Sequence, residues 1–102
     1  MKKHTQIYLD AFGYSKEDYI PCEISGKPGI DTHHIIGRGK GGEDRIENLM
    51  VLTRELHHEL GDKKQYMVML FTKHREFLAI NGVRFNMNWF DQKINYYKSI
   101  TE

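Results

Sequence analysis

Asp31-Thr32-His33-His34-Ile35-Ile36 runs into Gly37-Arg38-Gly39-Lys40-Gly41-Gly42, then Asn48-Leu49-Met50-Val51-Leu52, and reaches His57-His58. Ser25-Gly26-Lys27-Pro28-Gly29 is dense in turn formers, and Ile30 to Ile36 alternates well enough for a strand. Four glycines between Gly37 and Gly42 favour neither helix nor strand and predict an exposed loop. Leu49 to Leu52 reads as a short buried strand, and a helix begins near Thr53. There Leu52, Leu56 and Leu60 recur every four residues, Gly61 supplies a left-handed stop, and Asp62 is placed to cap the next helix. The order is strand, loop, strand, helix.

Outward from this unit, Thr5 through Phe12 predicts a short helix stopped by Gly13, and Ser15-Lys16-Glu17-Asp18 predicts one more helical turn ended by Pro21. Lys63 to Ile80 carries Met67, Leu70, Phe71, Phe77 and Leu78 at helical spacing, with Asn81-Gly82 as the stop. Asn88 is placed to cap a last helix with Phe90, Ile94 and Tyr97 on one side. These two helices are expected to pack together.

The 102 residues suit one small domain, with no internal repeat. Fifteen Lys and Arg against fourteen Asp and Glu give a formal charge of +1, so contact with a nucleic acid must come from local clustering. The single cysteine, Cys22, excludes an internal disulfide framework and reads as a small buried apolar residue. No apolar run is long enough for a signal peptide core or a membrane span, so a reducing, cytoplasmic setting without membrane contact is expected.

Four of the six histidines stand in two adjacent pairs, and imidazole is both a metal ligand and a proton carrier near neutral pH. Neighbours on a strand point to opposite faces, so His33 and His34 are expected to take different roles. Helix phase brings His57 to the border of the buried face and His58 to the opposite side. Asp31 shares a strand face with His33 and is placed to orient that imidazole.

Taken together, Asp31 to Ile36, Gly41-Gly42, Asn48-Leu49, Leu52 and His57 resemble the HNH endonucleases over residues 22 to 61. The resemblance implies an α+β fold: a ββα-metal core with a short two-stranded antiparallel sheet, flanked by N- and C-terminal helices, the latter an extension over 63 to 100. It implies hydrolysis of DNA phosphodiesters with one divalent cation. His33 and His57 would be metal ligands, His34 the general base that activates water, and Asn48 the residue that organises the loop between the strands.

Two departures stand out. Many members carry two Cys-x-x-Cys pairs for a structural zinc, where this chain has Cys22 with Ser25 and Thr53 with Leu56, so a structural zinc is not expected. Many also carry a further histidine where Gly61 stands, which leaves two imidazoles, with Asp62 as a substitute only if the helix end bends. A site with few protein ligands favours Mg²⁺ or Mn²⁺, with Zn²⁺ or Ni²⁺ admitted by the imidazoles.

Arg38 and Lys40 in the loop, with Arg45 and Arg54 beside it, are the candidate DNA contacts, while Glu43, Asp44 and Glu47 would repel a phosphate backbone. His74 on the apolar stripe reads as a satisfied core histidine, and Trp89, Tyr96 and Tyr97 as core before stacking platforms. The leading expectation is a metal-dependent DNA endonuclease of phage or bacterial type, with a homodimer or an accessory phage or host protein as further partners. The alternatives are a catalytically idle DNA-binding or assembly module and a nuclease toxin held by an immunity protein.

Overall fold

The computed structural model describes residues 2 to 101. Its centre is the strand β2, Leu49–Leu52, whose four residues are all buried. Strand β1, Asp31–His34, pairs with it antiparallel, setting Asp31 opposite Leu52, Thr32 opposite Val51, His33 opposite Met50 and His34 opposite Leu49. The alternation of side chains then gives the sheet two apolar faces. Met50 and Leu52 join the main core with Ile35, Leu70, Phe71 and Phe90, whereas Leu49 and Val51 pack against Tyr8.

Four helices cover this sheet among the described residues: α1 (Lys3–Phe12), α2 (Arg54–Leu60), α3 (Lys64–Ile80) and α4 (Met87–Thr101). The fold is α+β, as expected. None of the helices is long and apolar enough to cross a membrane. Phe71 of α3 meets the rings of Trp89, Phe90 and Tyr97 of α4 at centroid separations of 5.6 to 6.2 Å, which joins the last two helices. Gly13 ends α1 in the left-handed conformation expected of it.

Several local expectations are corrected. No second helical turn follows Ser15; the Asp18 carboxylate accepts the Ser15 N–H at 2.8 Å, and the chain turns toward a bridge between Pro21 and Pro28. The strand expected to reach Ile36 ends at His34, because the Ile36 N–H is taken by the side chain of Asn48. Helix α4 is capped by Asn86, not Asn88: Asn86 Oδ1 accepts the Trp89 N–H at 3.1 Å. The reason is the buried Glu47 carboxylate, which holds the Asn86 N–H at 2.8 Å and so fixes where the helix starts.

His74 is fully buried and satisfied on both nitrogens, as its place on the stripe suggested. Nδ1 is hydrogen-bonded to Glu23 Oε1 at 2.7 Å, and Nε2 donates to the Ile46 carbonyl at 2.7 Å. Tyr8 donates its hydroxyl to the other Glu23 oxygen, also at 2.7 Å, so α1 and α3 close on one carboxyl group. Removing one partner of such a buried pair leaves an uncompensated polar group. His74→Ala is expected to destabilise the fold by about 3 to 5 kcal/mol, read from the urea midpoint; a loss under about 1 kcal/mol would show that the network carries little.

Candidate metal and proton-transfer site

Asn48 builds the frame. Its side chain is fully buried, donates to the carbonyls of Ile36 at 3.1 Å and Glu43 at 3.0 Å, and accepts the Ile36 N–H at 2.8 Å. Both amide N–H groups are therefore spent on backbone. Asn48 is thus in position to organise the loop between the strands.

Strand alternation separates the first pair of histidines as expected. His33 turns toward α2, where its ring lies 4.6 Å from that of His57. It is 4% exposed, and its Nε2 is buried with no hydrogen-bond partner. Burial, then the neighbouring His57, hold its pKa down at about 4, so the ring is neutral at neutral pH and offers a lone pair on one of its nitrogens. His57 is half-buried and His58 exposed, in agreement with the helix phase.

Asp31 does not orient His33. Its Oδ2 lies 3.0 Å from His57 Nδ1, and Oδ1 accepts from Arg54 at 3.0 Å; these hydrogen bonds hold the carboxyl below its ordinary range. The register explains the change, since Asp31 lies opposite Leu52, two residues before α2. With Nδ1 of His57 engaged, its Nε2 is the nitrogen left for a ligand.

The end of α2 also differs from expectation. Gly61 is extended, φ −67° and ψ 141°, and the left-handed residue is Asp62 at φ 58°. Asp62 does not cap α3, whose N-cap residue is Lys63 without a side-chain hydrogen bond. A Cβ on Gly61 would stand 2.5 Å from the His57 carbonyl oxygen and 3.3 Å from ring carbons of both His33 and His57. Only glycine leaves that cradle open. The bent end carries Asp62 to the rim of a hollow lined also by His33, His34, Gly37, Arg38 and His57. The hollow thus brings an orphaned imidazole nitrogen, a second imidazole and a carboxylate to one place, donor types that a divalent cation takes.

His34 turns the other way, and the sequence missed both of its partners. Its Nε2 lies 2.7 Å from Asp44 Oδ1, and its ring centroid 4.6 Å from that of His4 on α1. An ionised carboxylate only accepts, so His34 Nε2 supplies the proton of this hydrogen bond. The hydrogen bond from His34 holds Asp44 below the ordinary carboxylate range. Arg38 closes the group, with Nη2 2.8 Å from His4 Nδ1 and 3.5 Å from Asp44 Oδ1. His4, His34 and Asp44 place three donor atoms within 4.8 Å of one another, but the guanidinium already supplies the positive charge there.

The other candidate contacts are dispersed. Arg45 pairs with Glu47 at 2.9 Å and lies over the Trp89 ring, away from the hollow. Arg54, the exposed first residue of α2, is paired with Asp31, and Lys40 faces away from the histidines, toward α4. Cys22 is buried, as expected. Burial raises its thiol pKa, yet hydrogen bonds from Ser25 and from the backbone of Ile24 and Thr53 outweigh that and lower it. Thr53 in turn caps α2 by accepting the Leu56 N–H at 3.2 Å. Cys22, Ser25, Thr53 and Leu56 are thus all linked by hydrogen bonds. No protein-family model, curated protein or solved structure matches this chain.

The depressed His33 pKa has a consequence for the metal-free protein. Between pH 6.5 and about 4 the unfolded chain binds a proton that the folded chain does not, so stability falls as pH falls through that window. In EDTA the loss assigned to His33 is about 3 kcal/mol, and His33→Gln is expected to remove it from the pH profile. Superimposable profiles for the two proteins would show that His33 is not held neutral by burial.

Proposed function

We propose that this protein is a metal-dependent endonuclease of the HNH type, built on a ββα-metal core, which hydrolyses phosphodiester bonds in DNA. The observation that carries the reading is His33 Nε2, buried without a partner on a ring that lies 4.6 Å from that of His57, where Gly61 leaves space beside both. A buried imidazole nitrogen left unpaired costs stability unless something binds it. His33, His57 and Asp62 would hold the cation, the last taking the place of the histidine that relatives carry at Gly61. Two nitrogens and one oxygen leave room for water and phosphate oxygens, and Mg²⁺ or Mn²⁺ remains the first choice.

When bound, such an ion polarises a phosphate oxygen and stabilises charge on the leaving 3′ oxygen. His34 takes a proton from water at Nδ1 as the water oxygen bonds to phosphorus and the bond to the 3′ oxygen breaks. Asp44 keeps the His34 proton on Nε2 and favours the imidazolium that forms. Arg38, on the rim of the hollow and 58% exposed at its side chain, meets a phosphate oxygen. Shallow hollows continue along β1, lined by Lys2 with Asp31 and then by Lys27 and Arg54 with Glu55.

Supercoiled plasmid is expected to be nicked with Mg²⁺ or Mn²⁺ and left intact in EDTA. His34→Ala should lower the rate at least about a hundredfold, and Asp44→Asn about tenfold or more. Nicking by His34→Ala at the wild-type rate would remove the base. In calorimetry His57→Ala and Asp62→Asn should each weaken Mn²⁺ binding while His58→Ala leaves it unchanged; equal losses in His57→Ala and His58→Ala would contradict the ligand assignment.

A further inference from the structure

On the far side of the glycine loop lies a groove that the proposed chemistry does not use. It encloses about 430 Å³ between the loop, the start of α3 and the end of α4. Its floor is the buried pair Ile36 and Met67, and Lys40, Lys64 and Lys93 stand along it. Among the described residues no carboxylate lines it, although acidic and basic residues are nearly equal in number over the whole chain. Tyr96 forms one wall. It is 56% exposed, and its ring is held edge-on against Tyr97 at 5.0 Å.

We propose that this groove, where Lys40, Lys64 and Lys93 surround an exposed Tyr96 and an apolar floor, binds an unpaired stretch of the DNA substrate. Lysines without neighbouring carboxylates attract phosphates, and an exposed tyrosine offers a face on which an unstacked base can lie. The volume falls within the range of small-ligand pockets, which admits a nucleotide unit but not a base-paired helix. Continuity supports the same occupant: Gly37 and Arg38 border the histidine hollow, while Lys40 and Gly41 border the groove. One strand can follow the loop from one to the other. The substrate class is therefore DNA with a single-stranded segment beside the scissile phosphate, an inference that rests on the nuclease reading.

Binding in EDTA tests this without cleavage. Fluorescence anisotropy is read for a blunt duplex and for the same duplex with a tail of about 12 unpaired nucleotides. The tail is expected to raise affinity about tenfold or more. Tyr96→Ala should remove that gain and leave the blunt duplex unaffected, while Tyr96→Phe keeps it. Lys64→Gln with Lys93→Gln should flatten the slope of log affinity against log salt by about 1.4 for the tailed duplex. Equal affinity for both duplexes, or a gain that survives Tyr96→Ala, overturns the proposal. A tail-dependent gain lost in Tyr96→Ala, with plasmid intact in every metal, supports the groove and sinks the nuclease reading; nicking with no tail effect does the reverse.

Discussion

The antiparallel register of β1 on β2 is the constraint on which the rest depends. With His33 opposite Met50 and His34 opposite Leu49, two residues adjacent in sequence are delivered to opposite sides of one strand. His33 meets α2 and His34 meets α1. A slip of one residue would exchange them, putting His34 against His57 and His33 against Asp44. The register is secured because all four residues of β2 are buried, and because Asn48, just before that strand, ties the end of β1 and the following loop to itself. A buried side-chain amide is costly unless paired, so this frame is specific as well as stable.

Around that frame, two histidines of one residue type acquire different chemistry from their surroundings alone. Burial and the nearby His57 keep His33 neutral with an orphaned nitrogen, whereas an ordered carboxylate holds a proton on Nε2 of His34. The same logic divides the carboxylates. Asp31 and Asp44 each hold an imidazole, Glu23 and Glu47 hold backbone and side chains inside the fold, and Asp62 stands at the rim of the hollow. A nearly neutral net charge therefore conceals strong local segregation, seen again in the lysine-lined groove behind the loop.

Local pattern made much of this legible. Period-two alternation separated His33 from His34, helix phase separated His57 from His58, and the apolar stripe of α3 placed His74 in the core. What sequence reasoning missed depends on contacts across long stretches of chain. His4 lies 30 residues before His34, and nothing in its own neighbourhood marks it. Asp44 looked like a charge that repels phosphate, because its pairing with His34 needs the loop to fold back first. The end of α2 was misread for a different reason. Glycine usually supplies the left-handed residue of a helix stop, but here Gly61 is needed for the space it leaves, and Asp62 adopts the positive φ.

The central claim is that the cation sits between His33 and His57 and not among His4, His34 and Asp44. Long-range proton–nitrogen NMR of the six histidine rings, recorded as Zn²⁺ is titrated in, reads ligation nitrogen by nitrogen. The account predicts metal-induced shifts at Nε2 of both His33 and His57, with His34 still protonated on Nε2. Shifts at His4 and His34, with His33 and His57 unchanged, would contradict it.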